Sequence, residues 1–279
     1  MLKSISGSFT GIRGCQQMLE VVANNLANVN TTAYKERTVS FQELPYRALA
    51  ERRLPLSGGR VAVPLGGKGT VIGSIVPSQE GGPPVFTDYK LDLAIEGEGF
   101  FRVIREDGSY AYTRSGNFRP DAQGNIVLPG GERLDITLNQ KGREGAVDLS
   151  SLVVTPEGRI MVREENGTNS SSEQGQEGVA PGTVELGSLK IYRFTNPQGL
   201  TGLGHNLFIP SANSGPPREG EAGEEGFGSI RQGFLESSNV DMGRQMAMLI
   251  RGQRSLQASA RTLTAADELW ALTLQMQSG

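Results

Sequence analysis

The chain has 279 residues, enough for one large domain or two modest ones, and 38 of them are glycine. Its formal net charge of −3 provides no basic surface for nucleic acid, so we expect no nucleic-acid partner. A single cysteine, Cys15, and a single histidine, His205, cannot build a Cys/His zinc site or an intrachain disulfide. We therefore expect no metal and no cofactor.

The N-terminal segment repeats apolar residues every seven positions, which is typical of a helix that packs in a coiled coil. The repeat runs into the Asn- and Thr-rich stretch 24–32, whose side chains compete for backbone hydrogen bonds and therefore end the predicted helix. The heptad positions are Ile5, Ile12, Leu19 and Leu26.

Within residues 36–84, the stretch 44–82 shows no clear period. Pro45, Pro55, Pro64 and Pro77 and many glycines interrupt this segment. A structureless loop this long is uncommon inside a compact domain. We interpret it as an extended arm or linker with short strands.

Residues 85–236 carry the signals of short strands and hairpins. The alternation in Leu91–Ile95 predicts a half-buried strand, and Asp107-Gly108 is a strong hairpin signal. Two low-complexity stretches, 164–182 and 211–228, predict solvated loops. The sequence therefore predicts a β-rich outer domain over 85–236.

A second heptad run lies near the other end of the chain. Residues 237–241 contain candidate helix N-caps, and the following sequence is predicted to be helical to about Met276. Because both terminal runs share one period, we predict that residues 1–35 and 237–279 pair as one coiled-coil domain. The predicted fold class is α+β, with long terminal helices and a β-rich middle. The heptad positions of this second helix are Met242, Leu249, Leu256, Leu263 and Trp270.

No stretch of the sequence shows the pattern of a catalytic site. Gly66-Gly67-Lys68-Gly69-Thr70 differs from a phosphate-binding loop because Gly69 separates Lys68 from Thr70. Gly97-Glu98-Gly99 precedes a predicted strand and not a helix, so it is no dinucleotide fingerprint. We predict that the chain is not an enzyme and has no small-molecule substrate.

Four stretches resemble the motifs of bacterial flagellar rod and hook proteins, in that family's order. The first covers residues 24–31 with Tyr34-Lys35, the second 91–101, the third 112–118 and the fourth 233–241. Together they span nearly the whole chain. The residues that carry the first, second and fourth motifs are Asn24, Asn25, Leu26, Ala27, Asn28, Gly97, Gly99, Phe100, Ser238, Asn239 and Val240.

The resemblance implies a structural subunit of the flagellar basal-body rod, the shaft that transmits motor torque to the hook. It implies helical assembly through the heptad positions, with copies of the chain itself, other rod proteins and the hook protein as partners. It further implies localisation in the rod within the cell envelope, after export by the flagellar type III apparatus without a cleaved signal peptide. Neither a secretory signal nor a run of ~20 apolar residues is present in the sequence.

The sequence leaves alternatives open for the rod subtype and for the class of protein. The chain is most similar to the distal rod type (FlgG-like), because it is short for the extra outer domain of hook proteins, and the proximal type (FlgF-like) stays open. A hook or hook-associated subunit of the same family is the first alternative. A β-rich binding or adhesin module is the second, although it would not explain the paired heptads.

Overall fold

The computed structural model describes residues 2–44, 47–48, 65–66, 69–138, 152–163 and 183–278. Its first element is helix α1 (Leu2–Ala27) and its last is helix α2 (Met242–Ser278), with the strands between them. The α+β class with terminal helices and a β-rich middle is therefore confirmed. Neither of these helices, within the described residues, is apolar over a stretch long enough to cross a membrane.

The strands are short, as the frequent turn signals predict. The first eleven are β1 (Arg37–Glu43), β2 (Arg47–Ala48), β3 (Leu65–Gly66), β4 (Thr70–Pro77), β5 (Pro84–Phe86), β6 (Leu93–Glu96), β7 (Phe101–Ile104), β8 (Tyr110–Thr113), β9 (Arg119–Pro120), β10 (Ile126–Val127) and β11 (Arg133–Leu134). The others are β12 (Thr137–Leu138), β13 (Leu152–Val154), β14 (Arg159–Arg163), β15 (Thr183–Ser188), β16 (Lys190–Arg193), β17 (Thr201–Gly204), β18 (Leu207–Ile209), β19 (Arg218–Glu221), β20 (Ser229–Gln232) and β21 (Phe234–Glu236).

The chain groups into two compact units, and each contains segments that are distant in sequence. The helical unit consists of Met1–Val29, Glu36–Ser78 and Val240–Gly279. The β unit consists of Asn30–Lys35 and Gln79–Asn239. The strands β1 to β4 therefore accompany the two helices.

In the helical unit, α1 and α2 lie side by side. The Cys15 thiol donates a hydrogen bond to Ser255 Oγ at 3.3 Å. A Cβ at Gly252 would lie 2.8 Å from side-chain atoms of Met18 and Leu19, so glycine permits this close approach. Strands β1 and β4 form an antiparallel ribbon in the same unit. At the start of α2, the Arg244 N–H donates to Asp241 Oδ1 at 3.2 Å, which caps the helix.

In the β unit, a seven-stranded sheet has the order β17-β18-β8-β7-β11-β10-β9, and a four-stranded sheet has the order β12-β15-β14-β13. Three further pairs join β16 to β19, β20 to β6 and β21 to β5. The predicted hairpin at Asp107-Gly108 connects β7 to β8, with Gly108 at a φ of +79°. The core residues with the lowest exposure include Phe101, Val103, Phe118 and Ile191.

The two predicted low-complexity loops have different outcomes. Residues 164–182 lie outside the described residues. The prediction for 211–228 is wrong in part, because this stretch contains β19, which pairs with β16. Ala222 is buried in the core of the β unit, and Phe227 packs against that core. Burial of these two apolar side chains favours an ordered conformation over a solvated loop.

Candidate functional site

Most of the described heptad positions of the two terminal helices are half buried within the single chain. Met242 and Trp270 remain 45% and 41% exposed, and the side chain of Ile5 lies outside the described residues. The half-buried heptad positions are Ile12, Leu19, Leu26, Leu249, Leu256 and Leu263. The seam between the helices therefore retains apolar surface that another chain could cover.

Asn25, in the first motif, holds three elements of the helical unit together. Its side chain is 1% exposed. Its Nδ2 donates to the Arg37 carbonyl at 2.9 Å and to Gln245 Oε1 at 3.2 Å, and its Oδ1 accepts from the Arg37 N–H at 3.0 Å. Because both polar atoms of the amide are used, Asn25 fixes the end of α1 against the first residue of β1 and the first turns of α2.

Gln245 extends this contact to a carboxylate that the sequence did not single out. Its side chain is fully buried, and its Nε2 donates to Glu36 Oε1 at 2.8 Å. Glu36 is itself buried. At the end of α1, the Asn24 carbonyl accepts hydrogen bonds from the backbone N–H and from Nδ2 of Asn28, and Ala27 is exposed.

Glu236 lies at the centre of a buried group of charges in the β unit. We call Lys35, Arg114 and Glu236 the charged cluster. The Lys35 ammonium donates to Glu236 Oε1 at 2.5 Å, and Arg114 Nη1 donates to Glu236 Oε2 at 3.3 Å. The Gly82 N–H donates to Glu236 Oε1 at 2.9 Å. The three side chains are 2%, 5% and 2% exposed, so their interaction is shielded from water.

The two cations of the charged cluster also bind backbone carbonyls. Lys35 Nζ donates to the Glu80 carbonyl at 2.7 Å, and Arg114 Nη2 donates to the Gly97 carbonyl at 2.7 Å. Burial lowers the pKa of the Lys35 ammonium below its ordinary value, because its desolvation outweighs the attraction of Glu236. The positive charge of Arg114 lowers the same pKa further. Each of the three charged side chains has at least one polar partner, while Arg114 Nε is buried with no hydrogen-bond partner among the described residues.

All four family motifs contribute to this one cluster. Lys35 belongs to the first motif, Gly97 to the second, Arg114 to the third and Glu236 to the fourth. The Arg114 guanidinium also lies 5.5 Å from the centre of the Phe100 ring, a second-motif residue. Stretches separated by up to 201 residues thus meet at a single buried carboxylate.

Two motif glycines are required by the backbone around the cluster. Gly97 and Gly99 have φ values of +116° and +142°. A Cβ at Gly99 would lie 2.1 Å from Ile191 Cγ2, so any other residue would force Ile191 of β16 to shift. The fourth motif is held at the charged cluster, because Asn239 Nδ2 donates at 3.0 Å to the same Glu80 carbonyl that binds Lys35 Nζ. Ser238 and Val240 are buried.

Sequence reasoning found the motif stretches but missed the charges that join them. Lys35, Arg114 and Glu236 were not among the predicted site residues, and neither was Gln245. A signal was present for two of them, since Lys35 and Arg114 are the single charged residues of otherwise uncharged motifs. Within the part of the chain that the structure describes, no three His, Cys, Asp or Glu side chains are grouped to hold a metal ion.

Comparisons with known proteins agree with the order of the motifs. Residues 94–162 match the family described as flagellar hook protein FlgE/F/G D1 domain. Residues 231–276 match the C-terminal family of flagellar basal body rod FlgEFG proteins, and residues 15–35 match the flagella basal body rod protein family.

Full-length relatives decide the family. The FlgG basal-body rod protein of Borreliella burgdorferi is 33% identical over 272 residues, which cover 96% of each chain. The chain belongs to the FlgG family of flagellar basal-body rod proteins. The FlgG protein of Caulobacter vibrioides is 31% identical over 280 residues, covering 99% of this chain and 100% of that one. That of Bacillus subtilis is 31% identical over 277 residues, covering 96% and 97%.

FlgG membership confirms the predicted family resemblance and favours the distal rod type over the proximal and hook alternatives. The chain is accordingly a structural subunit of the flagellar basal-body rod. The FlgG family is structural and is not an enzyme family.

Proposed function

We propose that this FlgG-family subunit polymerises helically through its terminal helices into the shaft that transmits motor torque to the hook. The observation that carries the proposal is the half-covered apolar seam of α1 and α2, where Met242 and Trp270 stay exposed. Burying one leucine side chain contributes roughly 1.5–3 kcal/mol, so covering several of them drives association. The chain acts as a structural element and not as an enzyme.

We also propose how the terminal helices pair and how the chain divides into domains. The helices of 1–35 and 237–279 pair as a coiled coil and form the inner tube, with the heptad positions as the subunit interface. Residues 36–84 act as the arm, and 85–236 form the outer domain. The heptad spacing and the contact between α1 and α2 support the pairing of the terminal helices.

The partners follow from the same role. Other copies of the chain, other rod proteins and the hook protein contact the subunit in the rod. Export by the flagellar type III apparatus without cleavage stays a prediction from the family resemblance. Mass spectrometry of subunits recovered from basal bodies is expected to find a chain that begins at Met1 or Leu2.

Leu256→Asp is expected to abolish incorporation of the subunit into rods. Leu256 is a half-buried heptad residue of α2, and an unpaired carboxylate in an apolar seam is strongly unfavourable. The thermal unfolding of the β unit, followed by circular dichroism, is expected to remain unchanged, because Leu256 belongs to the helical unit. Rod assembly is measured by electron microscopy of isolated basal bodies from cells that express the variant.

Gln257→Asp is the matched control, since it introduces the same charge at an exposed neighbouring position of the same helix. It is expected to assemble normally. Normal rods built from the Leu256→Asp subunit would contradict assembly through the seam.

Ser255→Cys is expected to form a disulfide with Cys15 inside one subunit under mild oxidation. The native thiol and hydroxyl are 3.3 Å apart across α1 and α2. The product is a monomer with two fewer free thiols, detected by non-reducing gel electrophoresis and thiol titration. Arg254→Cys, at an exposed neighbouring position, is the control that should keep both thiols. An unlinked Ser255→Cys monomer would mean that the two helices pair only after assembly.

A further inference from the structure

A second apolar stripe lies near the C-terminal end of α2, and it does not coincide with the heptad positions. Leu269, Leu272 and Met276 are 54%, 55% and 85% exposed. Their spacing of i, i+3 and i+7 places them on one face of the helix. Trp270, the nearest heptad position, points about 100° away from Leu269 on a helix of 3.6 residues per turn. The stripe is therefore apolar surface that the heptad seam does not account for.

The helical unit also contains an open apolar cavity of about 250 Å³. It lies where α1, β1 and the first turns of α2 meet. Met18 and Met248 contribute flexible, polarizable side chains to its wall, which adapt to the shape of an occupant. The other apolar lining residues are Val21, Val22, Val39 and Phe41.

The stripe of a subunit cannot enter the cavity of the same subunit. Met248 lines the cavity and Leu269 begins the stripe, 21 positions further along one continuous helix. At 1.5 Å per residue, these positions are about 31 Å apart along the helix axis. Only another copy of the chain can bring the stripe to the cavity.

Charge complementarity supports this occupant. Arg37 and Arg251 stand at the cavity, and both are exposed. The third charged residue there, Glu36, is buried and accepts a hydrogen bond from Gln245. On the stripe, the exposed Glu268 precedes Leu269 and lies four residues before Leu272. The cavity rim is therefore cationic where the flank of the stripe is anionic.

We propose that the Leu269/Leu272/Met276 stripe of one subunit docks in the cavity of a neighbouring subunit, with Glu268 facing Arg37 and Arg251. This is the mode in which an amphipathic helix binds an apolar groove through anchors spaced i, i+3 and i+7. The two surfaces are different parts of the chain, so the contact is head to tail and propagates into a filament. The proposal rests on the proposed function, for which it names one specific interface.

Cysteine crosslinking between two differently labelled copies tests the contact. In a Cys15→Ser background, subunits with Met248→Cys are mixed with subunits with Leu272→Cys and allowed to polymerise. Oxidation is expected to yield a disulfide-linked dimer of one copy of each in the polymer, and none in the monomers. Ala271→Cys replaces Leu272→Cys as the matched control, because residue 271 is exposed on another face of α2.

The outcomes separate the contact from the proposed function. A polymer that gives no Met248–Leu272 crosslink, or gives it no more than the Ala271→Cys control, overturns the docking proposal and leaves assembly through the seam intact. An unaltered subunit that does not enter rods overturns the proposed function and the docking proposal with it.

Charge reversal provides a second measurement on full-length subunits. Glu268→Arg and Arg251→Glu are each expected to raise the subunit concentration needed for polymerisation about tenfold, because each places like charges together. The double variant restores the opposite charges and is expected to polymerise at a concentration near that of the unaltered chain. The pairing is overturned if the double variant raises the concentration needed for polymerisation by the product of the two single-variant factors.

Discussion

Replacing Glu236 with Ala is expected to lower the free energy of unfolding by about 3–5 kcal/mol. The substitution leaves the Lys35 ammonium and the Arg114 guanidinium buried without the carboxylate that binds both. It also removes the acceptor of the Gly82 N–H. Denaturant unfolding of the full chain, followed by circular dichroism in the far ultraviolet, measures the loss.

Glu219→Ala is the matched control for this prediction. Glu219 is paired with Lys190 at 3.2 Å, but both side chains are exposed to water. Exposed ion pairs contribute little to stability because solvent screens them. The control is expected to unfold at the same denaturant concentration as the unaltered chain. A Glu236→Ala chain that is as stable as this control would contradict the structural role of the charged cluster.

Gly116→Ala is expected to destabilise the β unit by about 3 kcal/mol or more. A Cβ at position 116 would lie 1.6 Å from the Leu93 carbonyl oxygen, a backbone atom that cannot rotate away. The displacement would also break the hydrogen bond from the Leu93 N–H to the Gly116 carbonyl at 3.0 Å. The loss is measured as a lower unfolding midpoint and, because β6 and the third motif separate, as faster amide exchange in β6.

Gly11→Ala is the control, and its expected change in stability has the opposite sign. Gly11 lies inside α1, and a Cβ there meets nothing within 4 Å. Alanine is preferred over glycine in a helix interior by roughly 1 kcal/mol. Gly11→Ala is therefore expected to stabilise the helical unit, and a Gly116→Ala chain that also gained stability would show that the third motif tolerates a side chain.

Local sequence signals predicted the elements that depend on near neighbours. The heptad spacing predicted two terminal helices, and the Asn-rich run predicted the end of α1, which comes at Ala27. The turn at Asp107-Gly108 predicted the hairpin of β7 and β8. Helix periodicity, caps and tight turns are encoded within a few residues, so the sequence alone carries them.

The tertiary structure decided which distant residues meet. Lys35 and Glu236 are 201 positions apart, and Asn25 and Gln245 are 220 positions apart. No local pattern specifies such partners, because a buried charge or amide is satisfied by whatever group the folded chain brings to it. The same reason explains 211–228, whose polar composition predicted a loop although Ala222 packs in the core. The sequence by itself determined the helices, the hairpins and the family motifs. Only the fold joined those motifs at one buried carboxylate, because the pairing depends on long-range packing and not on sequence spacing.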